Sequence, residues 1–298
     1  MALAIQQVTE EILIKMAAEA KRITGSKNLC IAGGVALNCV GNGKLLKSGL
    51  FDEIYIQPAA GDAEGAVGAA LAAYYIGYGK ARNVIQPDAM SGSFLGPEFT
   101  SAEIEHTARR YKAQYEKIED FNELSDRMAK IIAEGNVVGW FQGRMEFGPR
   151  ALANRSILGD ARNSEMQLEL NLIIKYRKSF RPFAPSVLAD DSYEYFELKK
   201  PSTYMLLVAN VQQKHINPIP DNYYELPLME RLYFERSDIP SLTHVDYSAR
   251  IQTVHQETNP SYRKLIEQFK KLKGYGLIVN TSFNVRGEPI VCTPEDAY

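Results

Sequence analysis

Cysteine is scarce in this chain, with three among 298 residues (Cys30, Cys39 and Cys292), and tryptophan occurs once. So odd and sparse a set does not make a disulfide framework, and a reducing, cytoplasmic setting is expected. None of the three stands at metal-ligand spacing. An excess of positive charge is also missing: 34 Lys and Arg against 36 Asp and Glu leave a formal net charge of -2. A duplex-binding surface needs a basic stripe, so a nucleic-acid partner is not expected, while a local basic pocket for a small anion stays open. No apolar run is long enough to span a bilayer, so no membrane partner is expected. The opening residues lack a basic region followed by an apolar stretch and a cleavage site, and no secretory signal is expected. Repeats and low-complexity tracts are absent. What is present is 45% hydrophobic and 23% charged residues, the composition of a packed core. The length suits about two domains of roughly 150 residues each.

Apolar residues at Ile5, Val8, Ile12, Met16 and Ile23 recur close to a helical period, and Gly25 is placed to end that helix. A short strand is predicted at 28–31, then a Gly33-Gly34 turn and a helix through Leu45 and Leu46 that Gly49 can end. A second strand is predicted at 53–56, closed by Pro58, and a small-residue helix from Ala63 to about Tyr75. This alternation is an α/β layout. The stretch from 81 to 99 is richer in Pro, Gly and Ser. It sets a domain boundary that divides the chain into 1–90 and 91–298. The second part opens with helical patterns at 101–111 and 121–134 and a strand at 137–141. Residues 216–240, with four prolines, read as an excursion, and 276–280 as a last buried strand.

Six segments carry possible chemistry. Gly33-Gly34-Val35-Ala36-Leu37-Asn38 follows a strand and precedes a helix, where glycines let backbone amides approach a phosphate; a tight turn is the competing reading. Asp62 stands where a loop gives way to a helix, as a metal or ribose ligand or as an ordinary helix cap. Arg144, Arg150 and Arg155 fall within a dozen residues after a buried strand, each among Gly, Pro, Leu or Ile. That spacing favours an anion pocket over a solvated face, because a guanidinium grips phosphate or carboxylate with a planar fork. Lys175 and Arg177, two apart, share one side if their segment is extended, although a solvated basic edge strand has the same pattern. His244 to Arg250, with Gln252 and Thr253, is a fifth segment. Asn280-Thr281-Ser282-Phe283-Asn284 offers amides and hydroxyls at a strand end, either turn formers or partners for a planar group that both donates and accepts. His106, His215 and His255 show no partner pattern and read as surface or structural residues. No His-Glu-x-x-His, cysteine pair or serine nucleophile elbow occurs.

In this order, the six segments resemble the nodulation-type and antibiotic-type carbamoyltransferases. Gly-Gly-Val-Ala-Leu-Asn and Gln-Pro-Ala-Ala-Gly-Asp look like the second half of that family's actin-like, Kae1-like nucleotide-binding domain. Gly-Arg-Met-Glu-Phe-Gly-Pro-Arg-Ala-Leu, Phe-Arg-Pro-Phe-Ala-Pro and Asn-Thr-Ser-Phe-Asn look like its YrdC-like α/β domain. The resemblance implies an enzyme that turns carbamoyl phosphate and ATP into carbamoyl adenylate and passes the carbamoyl group to a hydroxyl of a small-molecule acceptor. By resemblance, Arg144, Arg177 and Arg250 are the catalytic cations and, with Asn280 and Ser282, hold carbamoyl phosphate or the adenylate. Arg150, Arg155 and Lys175 are their neighbours in that pocket. Gly33, Gly34 and Asn38 match the nucleotide loop. Asp62 matches a carboxylate ligand of a divalent metal, iron in this family.

Three departures accompany the resemblance. The family's metal-binding histidine pair and the first half of its actin-like fold lie upstream of anything in this sequence. Ala153 replaces an expected glycine, and Lys178-Ser179 replaces Glu-Pro. The chain opens inside a helical pattern and closes on Thr293-Pro294-Glu295-Asp296, a helix start, so a carboxyl-terminal piece of a longer protein is expected. Two other functions compete: a transfer-RNA threonylcarbamoylating enzyme, disfavoured by the acidic balance, and a non-catalytic module that binds a nucleotide or carbamoyl phosphate. The acceptor and the oligomeric state are not legible.

Overall fold

The computed structural model describes residues 1–86, 88–176 and 181–298. Arg177, Lys178 and Ser179 lie outside the described residues. The chain forms two compact units. The first comprises 1–93 with 147–149 and 206–208; the second comprises 94–146, 150–205 and 209–298.

In the first unit, helix α1 (Ala2–Thr24) ends at Gly25, whose φ of 63° lets its N–H return to the Lys21 carbonyl. Strand β1 (Asn28–Ile31), helix α2 (Cys39–Lys47), strand β2 (Glu53–Ile56) and helix α3 (Asp62–Ala72) follow. The two strands pair in parallel, Asn28 opposite Glu53 and Ile31 opposite Ile56. Ala17, Leu45 and Phe51 form the core, joined by Leu13, Leu29 and Ile31. The helical period of α1 was legible, but its buried face was not: Ile5, Val8, Ile12, Met16 and Ile23 are all exposed, and Leu13 and Ala17 face inward.

The second unit is built on a six-stranded mixed sheet. Helices α4 (Ser101–Arg110) and α5 (Phe121–Ala133) precede strands β3 (Val138–Phe141) and β4 (Arg155–Gly159). Helix α6 (Met166–Glu169), β5 (Ala184–Leu188), α7 (Ser192–Tyr195), β6 (Leu207–Asn210), α8 (Leu228–Tyr233), β7 (Ser248–Val254), α9 (Pro260–Lys273), β8 (Leu277–Ser282) and α10 (Pro294–Ala297) complete the chain. The strand order is β3-β4-β8-β5-β7-β6. Strands β5 and β7 pair in parallel, while β3 with β4, β4 with β8 and β5 with β8 run antiparallel. Helix α9 packs on α5. Its Tyr262, Leu265, Ile266 and Phe269 are fully buried, a stripe at helical spacing. Gly139 in β3 makes room for Phe283: a Cβ there would stand 2.8 Å from that ring.

Lys175 does not stand in an extended segment. It closes a wide helical turn (Leu170–Ile174) with φ −88° and ψ −10°, and Tyr176 follows at φ 44°. The Ala153 substitution has a backbone consequence. Ala153 is fully buried at φ 91°, a backbone conformation that suits glycine. Such strain costs about 1–3 kcal/mol. Ala153→Gly is therefore expected not to destabilise the protein, although it removes a buried methyl and loosens the unfolded chain. Urea unfolding checks this, and a loss above about 1 kcal/mol would contradict the strain argument.

Candidate functional site

In the first unit, parallel pairing sends the loops after β1 and β2 out at the same, carboxyl edge of the strands. Gly33 adopts φ 84°, and a Cβ on Gly33 or Gly34 would meet nothing within 4 Å, so the turn is open in front. The Gly33 N–H donates to Glu64 Oε2 at 2.6 Å, which ties the turn to the first turn of α3. Asp62, exposed, is the first residue of that helix, after Gly61 at φ 111°. Asn38 has a task the sequence did not disclose. Its Oδ1 accepts from Gly41 N–H at 3.0 Å as the cap of α2, and its amide exchanges hydrogen bonds with Gln6. The residue that the resemblance places in the nucleotide loop thus also caps α2.

The residues present do not fit a metal. Among the described residues, no group of three or more His, Cys, Asp or Glu side chains could hold one. Asp62 is a single carboxylate, and Glu64 is engaged with Gly33.

In the second unit the sheet assembles a buried polar cluster. Gln252 on β7 donates from Nε2 to the Leu152 carbonyl at 3.0 Å, which fixes which end of its amide is oxygen. Its Oε1 then accepts from Ser186 Oγ at 2.6 Å and from Asn280 Nδ2 at 2.8 Å. Asn280 Nδ2 also donates to the Ala151 carbonyl at 3.2 Å. Both Nδ2 protons are thus used, and Asn280 Oδ1 is a buried acceptor without a hydrogen bond in a residue only 1% exposed. Buried acceptors are normally satisfied, so this one calls for a ligand donor or a water. Arg250, half-buried, lies two residues before Gln252 on β7 and so shares its face of the sheet.

The strand-end motif is held from behind. Lys175, 5% exposed, donates from Nζ to the Ser282 carbonyl and hydroxyl, and to the Asn284 carbonyl and Oδ1, each of the last two at 2.8 Å. Ser282 Oγ donates to Asn284 Oδ1 at 2.6 Å. Lys175 is therefore a brace for Ser282 and Asn284.

The arginines divide. Arg144 is exposed and donates to the Leu95 carbonyl at 3.3 Å. Arg150 is half-buried. Arg155, a neighbour in the pocket by resemblance, is fully buried, lies 3.5 Å over the Phe141 ring, and donates to the carbonyls of Gln142, Gly143, Asn154 and Pro97. Burial holds its guanidinium pKa below the usual value, against the pull of the Glu146 charge. The sequence reading gave no role to Glu146. Its buried carboxylate accepts the backbone N–H groups of Leu152 (2.6 Å), Asn154 (2.8 Å) and Arg155 (3.4 Å). It thereby sets the path of the segment whose carbonyls orient Gln252 and Asn280. Its signal was a carboxylate in the middle of an arginine-rich, glycine-flanked segment.

Two histidines of this unit make its stability pH-dependent. Burial lowers the pKa of His244, bonded to Ser248, and of His255, which shares a hydrogen bond with Thr253. A depressed histidine pKa leaves the unfolded chain binding the proton first. Stability is unaffected above the ordinary value of about 6.5 and falls as pH drops below it. The slope reaches at most about 1.4 kcal/mol per pH unit for each histidine. Urea unfolding between pH 7 and 5.5 measures it, and a flat profile would contradict the burial of both rings.

Residues 129–298 match the carbamoyltransferase C-terminus model, and residues 1–71 match the carbamoyltransferase N-terminus model. The expectation of a carboxyl-terminal piece is amended accordingly, since both family regions are represented. An uncharacterized Synechocystis protein is 56% identical over 299 residues, covering 100% of this chain and 48% of the relative. Nodulation protein NolO of Bradyrhizobium diazoefficiens is 41% identical over 298 residues, covering 98% and 50%. The 3'-hydroxymethylcephem-O-carbamoyltransferase of Streptomyces clavuligerus is 31% identical over 286 residues, covering 95% and 48%. The chain spans about half the length of these relatives. Among the described residues no helix is long and apolar enough to cross a membrane. With a family model matching more than half of its length, this chain belongs to the carbamoyltransferase family.

Proposed function

We propose that the second unit binds carbamoyl phosphate, and that the protein uses ATP to convert it to carbamoyl adenylate for transfer to a hydroxyl on a small molecule. The observation that carries this reading is Asn280 Oδ1, buried, fixed in orientation and without a hydrogen bond. A carbamoyl group has an NH2 to offer such an acceptor. Arg250, on the Gln252 face of β7, suits the phosphate beside it, with Arg144 and, by resemblance, Arg177 as further cations. Gathering the anions of carbamoyl phosphate and ATP needs positioned positive charge, and positioning with charge stabilisation supplies most of the catalysis in this reading. We read the first unit as the actin-like part and the second as the YrdC-like part on resemblance alone. The Gly33-Gly34 turn, open in front, offers a nucleotide close approach, although the Gly33 N–H is already taken by Glu64.

The test compares carbamoyl phosphate with acetyl phosphate, which has a methyl where the donor has NH2. Leaving Asn280 Oδ1 unpaired costs about 1–3 kcal/mol, so calorimetry is expected to show carbamoyl phosphate bound roughly tenfold or more tightly. Asn280→Ala removes the preference. Equal affinity of the well-folded chain for the two phosphates would overturn the reading. Carbamoyl-phosphate-dependent release of pyrophosphate from ATP separates an enzyme from a binding module.

A further inference from the structure

Three side-chain amides close a triangle behind Arg144. Gln142 donates from Nε2 to Asn154 Oδ1 at 2.9 Å and to Asn259 Oδ1 at 3.0 Å, and Asn259 Nδ2 donates to Asn154 Oδ1 at 3.0 Å. Asn154 and Asn259 are 5% and 8% exposed. The polarity of the triangle is fixed from two ends. The Tyr262 N–H can only donate, so the Asn259 atom that caps α9, 3.1 Å away, is Oδ1. The Arg144 carbonyl can only accept, so the Asn154 atom 2.7 Å from it is Nδ2. Turning any one amide over sets like against like.

The triangle acts on the backbone of Arg144. The peptide that follows Arg144 is held at its carbonyl by Asn154 and at its N–H by the Pro97 carbonyl, 2.9 Å from Met145 N. The two carbonyls before it, of Gln142 and Gly143, accept from Arg155. Gly143, at φ 45°, permits the turn between them. Arg144 itself is exposed, and its guanidinium donates to the Leu95 carbonyl at 3.3 Å, a long bond for a charged donor. Its direction is therefore set by its backbone. Burying amides costs desolvation that apolar contacts would avoid, while a satisfied polar network makes one place rigid. A displacement of about 1 Å at a charged contact is enough to lose much of its effect. We propose that Gln142, Asn154 and Asn259 are positioning residues that aim Arg144 at the phosphate of the donor. The proposal rests on the reading of the second unit as the carbamoyl phosphate site.

Asn259→Asp separates positioning from helix capping. A carboxylate caps a helix as well as an amide does and suits the positive end of α9. It keeps an acceptor for Gln142 and Tyr262, but sets an oxygen against Asn154 Oδ1. The Asn154 amide then turns over and puts its own oxygen against the Arg144 carbonyl. Calorimetry of the full chain is expected to show carbamoyl phosphate bound about tenfold more weakly, the worth of one hydrogen bond to a charged group, in a protein that still unfolds cooperatively in urea. Asn154→Ala is expected to act in the same direction. In an Arg144→Ala background neither variant is expected to weaken binding further, because both act through Arg144. Binding in each variant should also depend less steeply on salt, as in Arg144→Ala, since one cation no longer meets the anion. Acetyl phosphate is expected to weaken by the same factor, because Arg144 meets the phosphate and not the carbamoyl NH2. A wild type that binds both phosphates equally overturns the Asn280 reading alone, since the Arg144 comparison is made on either one. Wild-type affinity in the folded Asn259→Asp protein, or losses that add to that of Arg144→Ala, overturns the proposal.

Discussion

Glu146→Ala is expected to destabilise the protein by about 3–5 kcal/mol, because each buried donor left without a partner costs about 1–3 kcal/mol and such costs are not fully additive. Three backbone N–H groups converge on one Glu146 oxygen, and alanine leaves all three buried. It also removes the negative charge that stabilises the buried Arg155 guanidinium. Burial pushes the Glu146 carboxyl up while the three N–H groups pull it down, so the group is costly to bury and costly to lose. Glu146→Gln keeps an oxygen for the three donors and is expected to retain most of the stability. The consequence for binding follows from connectivity. The Ala151 and Leu152 carbonyls orient Asn280 and Gln252, so a slack segment frees Asn280 to turn its amide and satisfy itself. Urea unfolding of both variants, with carbamoyl phosphate calorimetry on whichever folds, checks the two halves. A loss below about 1 kcal/mol in the alanine variant would show that water replaces the carboxylate and that Glu146 does not shape the segment.

Sequence patterning reached the elements better than the contacts. Glycines and helical periods located α1, α2, α3, α4 and α5, because caps and turns are local chemistry. Helix α9 was missed although its signals were present: Asn259 as cap, Pro260 behind it, the stripe Tyr262, Leu265, Ile266 and Phe269, and Gly274 at φ 83°. Strand β5 was hidden by Pro185, a residue that argues against an interior strand, and β4 by five buried residues without alternation. The fold class was legible as α/β. The motif segments around the site were legible too, but not the duties within them. Arg144, Arg155 and Lys175 look alike as cations in sequence. Burial separates them, since Arg155 and Lys175 are enclosed by carbonyl and side-chain oxygens and Arg144 is exposed. Which carbonyls surround a cation depends on pairings more than a hundred residues apart, as between Lys175 and Ser282. Local pattern does not encode those.

Lys175→Met is expected to cost about 2–3 kcal/mol and to weaken donor binding by more than that loss of stability would suggest. Methionine fills a similar volume, so the cavity penalty is small, and what is lost is the ammonium. The Ser282 and Asn284 carbonyls then lose a charge-assisted partner in a half-buried place, where such bonds are worth about 1.5–3 kcal/mol. Removing a buried charge also removes its desolvation cost, which is why the net effect stays well below the sum of four hydrogen bonds. The positional effect is separate. Ser282 Oγ donates to Asn284 Oδ1, and both oxygens meet Lys175, so the loop from 282 to 284 is held at one point from behind. Without that point, Ser282 is free to rotate away from the end of β8, two residues beyond Asn280. Lys175→Arg supplies the discriminating control. It keeps the charge but carries a larger, planar head into a 5% exposed site, so it is expected to restore stability only in part and binding not at all. Equal donor affinity in the wild type and in a well-folded Lys175→Met protein would show that Lys175 braces the fold without positioning the strand-end motif.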